Sequence, residues 1–229
     1  MNRSQKILTT ALWGLLVLIM VGVIGAGLWK NDDRYTATGS IMIEPAAREG
    51  EVLFPVPAFS LVDQDNQTVT DQTLRGKPWV AAFIFTQCAG PCPMMSANMV
   101  KLQERVPNPN LRLVSFTVDP ERDTPEVLKK YAQGLGADES RWSFVTGSAQ
   151  AMHEVAAGMK IAAVPATETE PITHSTKFLL VDKDGGVRGI YASDAEGMEK
   201  LSTDATTLAG EAASAAGSSP SSPSPTTHP

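Results

Sequence analysis

Residues 79–106 read WVAAFIFTQCAGPCPMMSANMVKLQERV. The opening Trp79 to Thr86 is almost continuously apolar, the pattern of a strand buried on both faces, as in the centre of a parallel sheet. After the CAGPC pentapeptide a helix is expected from Pro93, because Met95, Met99, Leu102 and Val106 recur at helical spacing. Two cysteines, Cys88 and Cys92, therefore sit where a buried strand ends and a helix begins.

The flanking sequence continues the alternation. Leu111 to Val118 is the next strand, and Thr124-Pro125 supplies an N-cap and a first-turn proline for a helix PEVLKKYAQ. A strand at Trp142–Thr146 follows, and Ser148 caps a helix through Met159. An irregular polar stretch from Val164 to Thr173 precedes two strands, Thr176–Val181 and Val187–Tyr191, which bracket the turn Lys183-Asp184-Gly185-Gly186. A short helix from Ala195 to about Ser202 closes the domain. Upstream, Pro57–Val62 and Gln67–Thr70 flank the turn pair Asp65-Asn66 and read as an N-terminal β-hairpin. Strands alternating with helices in this order imply an α/β sandwich, a mixed central sheet flanked by helices.

The two ends read differently. After a short tail, residues 1–6, the segment 7–29 has no charged residue. At about 1.5 Å per residue it matches a hydrocarbon core of about 30 Å. It exceeds the apolar stretch of a cleavable signal peptide, about 7–15 residues, so an uncleaved transmembrane anchor is expected. Lys and Arg flank it evenly, and the very short leading tail favours N-terminus in, with the domain on the outer side. Residues 30–50 form a polar linker and 51–204 the folded domain. Residues 205–229, almost wholly Ala, Ser, Thr, Pro and Gly, are expected to be disordered.

Composition excludes two classes. With 19 Lys+Arg against 25 Asp+Glu, a formal net charge of −6, the chain lacks the positive surface a nucleic-acid binder needs. Two cysteines cannot make a disulfide-stapled mini-domain.

The cysteines carry the chemistry. Near a helix N-terminus the unpaired N–H groups and the positive dipole end favour the thiolate of Cys92. A thiolate is the nucleophile of disulfide exchange and also a soft-metal ligand, so two chemistries stay open. A structural staple is disfavoured, because so short a loop gains little chain-entropy stabilisation. Of three histidines, His228 lies in the tail and His153 falls within a predicted helix. His174 follows the irregular stretch and precedes a strand, either as an ordinary loop histidine or as a third ligand above the cysteines. Met95 and Met99, at helical spacing, read as core. A blue-copper carrier fails for want of a second suitable histidine.

At these residues the chain resembles a known family. FIFTQCAGPCPMM, VDPERDTPEVLKKYA, WSFVTG and THSTKFLLVDKDGGVRGIY, together spanning about residues 56–200, look like the Sco/SenC family. Its members are membrane-anchored, thioredoxin-like copper proteins of cytochrome c oxidase assembly. The resemblance implies a thioredoxin-like fold, with Cys88, Cys92 and His174 as ligands of copper(I) or copper(II). It makes Asp119 and Asp123 an acidic loop with a supporting or docking role. It also implies a metallochaperone rather than an enzyme, delivering copper to the dinuclear centre of cytochrome c oxidase. The implied partners are the oxidase's copper-bearing subunit, upstream copper donors or thiol reductants, and the membrane, with no nucleic acid. A redox-active pair beyond an anchor fits the periplasmic or equivalent side of the inner membrane. The alternative is a membrane-anchored thiol–disulfide reductase acting through Cys88 and Cys92. One departure stands out: Ala89 follows Cys88, where the family usually has proline, and Pro91 precedes Cys92.

Overall fold

A computed structural model describes residues 51–87, 92–161, 163–164 and 173–217, together with Trp13 and Met20. Trp13 and Met20 have helical backbone and are exposed; the rest of the expected anchor, 7–29, and the linker, 30–50, lie outside the described residues. Among the described residues no helix is long and apolar enough to cross a membrane.

Among the described residues ten strands and four helices follow one another from residue 54 onward. They are β1 (Phe54–Pro55), β2 (Ser60–Asp63), β3 (Thr68–Thr70), β4 (Trp79–Ile84), α1 (Cys92–Arg105), β5 (Arg112–Thr117), α2 (Pro125–Leu135), β6 (Trp142–Thr146), α3 (Ala149–Gly158), β7 (Ala163–Val164), β8 (Thr173–His174), β9 (Lys177–Val181), β10 (Gly186–Ala192) and α4 (Ala195–Gly217). Eight strands make one sheet in the order β1-β10-β9-β4-β5-β6-β2-β3, and β7 pairs with β8 apart from it. β4, β5 and β6 run parallel, and the remaining pairings are antiparallel. The expected mixed sheet with flanking helices is therefore found.

β4 shows why. All six of its residues are buried, and they alternate between two cores. Val80, Ala82 and Ile84 face a layer containing Met95, Met99 and Leu102 of α1, Leu128 of α2 and Leu201 of α4. Trp79, Ala81 and Phe83 face Met152, Val155 and Ala156 of α3, with Phe116 and Val145 of the neighbouring strands. A period of two on a strand covered on both sides yields the unbroken apolar run read in the sequence.

Local signals hold where a polar side chain fixes them. The Thr124 side chain accepts from the Val127 N–H, with Pro125 in the first turn, and Ser148 accepts from Ala151. Asn66 takes φ 57° in the first hairpin turn and Gly185 φ 86° in the second. In each hairpin an aspartate closes the turn: Asp63 accepts from the N–H groups of Asp65 and Gln67, and Asp182 from those of Asp184 and Gly186.

Three expectations are corrected. α1 begins at Cys92 rather than Pro93. Two short strands stand at the ends of the irregular stretch, with Ala163 opposite His174 and Val164 opposite Thr173. The closing helix does not stop near Ser202, and the tail does not begin at 205: α4 runs to Gly217. Ala205, Ala209 and Ala212 are buried on its inner side, and Leu208 packs beside them. The low-complexity reading missed that alanine is the best helix former and that small side chains at this spacing let a helix sit close to its neighbours. Residues 218–229 lie outside the described residues. At the start of this extension the Tyr191 hydroxyl donates to Asp204 at 2.7 Å; burial, then the Asp204 carboxylate, pushes the phenol far above its ordinary range.

The extension is a stability element rather than a tail. Ending the chain at Asp204 is expected to lower unfolding stability by about 2–4 kcal/mol from the lost apolar contact, whereas ending it at Gly217 leaves stability unchanged. Urea denaturation of the two truncations decides this, and equal midpoints would return residues 205–217 to the tail.

Candidate metal centre

The sheet directions set the end of β4, the end of β5 and the start of β9 at one edge. β4 ends at Ile84 beside Thr117, the last residue of parallel β5. β9 runs the other way, with Phe178 opposite Ala82, so its beginning lies where β4 ends. Three connections meet the sheet there: the one that follows β4, the one that follows β5, and the chain that reaches β9 through β8. They carry Cys88, then Asp119 and Asp123, then His174. His174 is four residues before Phe178, and Thr86, two residues before Cys88 in the sequence, is four after Ala82. The structure describes the backbone of Cys92 and of His174; their side chains, and Cys88 altogether, lie outside the described residues.

Helix α1 is held along its whole length. The Ser96 and Tyr131 hydroxyls meet at 2.8 Å, joining it to α2. Asn98 donates to the Ser193 carbonyl at 2.8 Å, and Arg105 pairs with Glu199 at 2.8 Å, joining it to the α4 end of the fold. Met95 and Met99 are fully buried, as their spacing implied, while Met94 is exposed. No acidic residue stands in the first turn of α1, so no carboxylate there opposes the positive end of the helix at Cys92.

The acidic loop divides into two roles. Asp123 is fully buried. Its carboxylate accepts from the Thr86 N–H at 3.1 Å, the Thr86 hydroxyl at 2.5 Å and the Thr117 hydroxyl at 2.5 Å. The Thr117 oxygen in turn accepts from the Asp119 N–H at 3.0 Å. One carboxylate thus ties the end of β4, two residues before Cys88, to the end of β5. Among the described residues it has no cationic partner, so hydrogen bonding alone offsets its burial. Asp119 is also buried, and it pairs with the exposed Arg122 at 2.9 Å.

Sequence reasoning named Asp123 but not its partners. Thr86 and Thr117 each stand at or just past the end of an apolar strand, and that placement was the available signal. His153 is exposed on α3, consistent with an ordinary helix residue. Among the described residues no three His, Cys, Asp or Glu side chains cluster as a metal site.

Removing the Asp123 carboxylate takes the acceptor from the half-buried Thr86 N–H and from the Thr86 and Thr117 hydroxyls. Asp123→Ala is expected to cost about 3–5 kcal/mol and Asp123→Asn about 1–2 kcal/mol, read by chemical denaturation. An Asp123→Ala loss below that of Asp123→Asn would show that the tie is unimportant.

Comparison with known proteins agrees with this geometry. A SCO1 protein homolog of Bacillus subtilis is 38% identical over 142 residues, covering 60% of this chain and 74% of its own. A Stutzerimonas stutzeri protein described as a candidate copper-binding protein is 35% identical over 140 residues, covering 58% and 67%. Among solved structures, BsSco, a member of the Sco family of cytochrome c oxidase assembly proteins in which a disulfide switch was identified, is 33% identical. It superposes with a TM-score of 0.62 over 70% of this chain and 96% of its own. The sheet and its helices are thus the thioredoxin-like sandwich of the Sco proteins. The SCO1/SenC family model matches residues 50–209, nearly the whole described domain, and the chain belongs to that family.

Proposed function

We propose that this protein is a copper metallochaperone, in which Cys88, Cys92 and His174 hold one copper ion for delivery to the dinuclear copper centre of cytochrome c oxidase. The observation that supports the reading is the adjacency, at one sheet edge, of the end of β4, which the cysteines follow in the sequence, and the start of β9, which His174 precedes. Two thiolates and an imidazole suit copper by softness, and three donors on separate loops can release the ion as well as take it. Family membership and the relative described by copper binding support the metal; the relative from oxidase assembly supports the destination.

In this reading the dipole end of α1 favours the Cys92 thiolate, while His174 closes the site from the β9 side. Asp123 is a positioning residue: through Thr86 it fixes where the chain turns towards Cys88. Asp119, with Arg122, stands on the rim where the oxidase subunit would dock. The apolar segment 7–29 tethers the domain to the membrane, on the outer side where the target centre is assembled. Pro91 disfavours helical geometry at Gly90, so the CAGPC loop tunes copper affinity and thiol potential without changing the donors.

A second chemistry has one observation in its favour, the disulfide switch of BsSco. A thiolate of the pair attacks a target disulfide and forms a mixed disulfide. The second cysteine then displaces the reduced target and leaves Cys88 and Cys92 oxidised, for an upstream thiol to reduce. This step has no use for His174.

His174 therefore separates the two. The reduced protein is expected to bind one copper per chain and to show sulfur-to-copper charge transfer with copper(II). Cys88→Ser and Cys92→Ser abolish that band, and His174→Ala weakens binding by about tenfold or more while leaving thiol exchange intact. No stable copper, or a spectrum indifferent to His174, would reject the copper site and leave disulfide exchange as the function.

A further inference from the structure

The opposite edge of the sheet carries a separate feature. At the N-terminal ends of β4, β5 and β6, three cations line one open pocket of about 190 Å³: Lys77, Arg112 and Arg141. Thr73, Ser140 and Ser143 share its wall, and among the described residues no carboxylate does. In a chain of net charge −6, such a concentration of one sign is not expected from composition.

The bonding of these cations leaves their charge available. Lys77 Nζ donates to the Pro109 carbonyl at 3.0 Å, and Arg112 Nη1 to the Thr73 carbonyl at 2.7 Å. Both partners are neutral, and neither cation has an ion pair among the described residues. Arg141 differs. It bonds the Val106 and Gln103 carbonyls and pairs with Asp138 at 3.2 Å, so its own charge is matched.

Each carbonyl bond also orients its donor. One bond fixes the Lys77 ammonium and leaves two of its N–H groups. One bond fixes the Arg112 guanidinium and leaves the rest of its fork. The Ser143 hydroxyl on the same wall has no protein partner among the described residues. A fixed guanidinium, a fixed ammonium and a hydroxyl around a space of several water volumes match an oxyanion with several acceptor oxygens. Holding the donors in place beforehand lowers the ordering cost of binding.

We propose that this pocket binds an oxyanion of the phosphate class, gripped by Lys77 and Arg112 and independent of the copper chemistry at the far edge. Free phosphate and the phosphodiester of a lipid headgroup share this chemistry. The chain also enters the domain at this end, since β1 pairs with the start of β10 and Val181 of β9 lies opposite Trp79.

The test uses the full chain in a nonionic detergent and phosphate-free buffer. Inorganic phosphate in one arm and soluble glycerophosphoglycerol in the other are titrated by calorimetry, with chloride holding ionic strength constant. Saturable binding of either ligand, weakened about tenfold or more in Lys77→Gln, supports the site, and the arm that binds identifies the source. Arg112→Lys, which keeps the charge but not the fork, should weaken binding less than Arg112→Gln. Lys77→Gln removes a single exposed bond, so near-UV circular dichroism should stay native and the assay remain readable if Arg112→Gln fails to fold. No saturable binding in either arm, or binding unchanged in Lys77→Gln, overturns the proposal.

Discussion

A strand buried on both faces has no side left for polar chemistry, so whatever it contributes must come at its ends. β4 imposes this on the whole domain. Its residues fill two cores alternately, and its neighbours β5 and β9 run in opposite directions. The next polar residues along the chain, Thr86 onward, therefore emerge between the end of one strand and the start of another. That arrangement, rather than any property of the cysteines themselves, brings residues from distant parts of the sequence to one edge, as in other open α/β sheets.

Asp123 makes that edge a defined one. A carboxylate without a cation is costly to bury unless its oxygens are occupied, and here the occupying donors belong to the two strand ends that must stay together. The cost of burial is thereby coupled to the position of the chain entering the cysteine loop. Ordinary sheet hydrogen bonds stop at Ile84 and Thr117; the Asp123 contacts extend the constraint towards Cys88 by side chains instead.

Much of this was legible in the sequence, for reasons that differ by element. β4 declared itself by an unbroken apolar run, α2 and α3 by capping hydroxyls, and the hairpins by turn residues suited to positive φ. The cysteine pair stood out by its place at a strand–helix junction. What escaped had no local pattern to show. β7 and β8, at two residues each, are too short to display a period. The link from Thr86 to Asp123 spans 37 residues and follows only from strand adjacency. The outer turns of α4 share the composition of a disordered tail, and only the burial of Ala205, Ala209 and Ala212 at helical spacing separates them from one. The basic pocket likewise gathers Lys77, Arg112 and Arg141 from three separate connections.

The alanine stripe of α4 has a dynamic consequence. A helix that holds its place through methyl groups gains little from each turn, so its outermost turns open at low free energy, while β4, enclosed by both cores, opens only with the domain as a whole. The molecule therefore carries a gradient of persistence, steepest between its C-terminal helix and its central strand. The strand end that leads into the CAGPC sequence is thus set on the last part of the fold to give way.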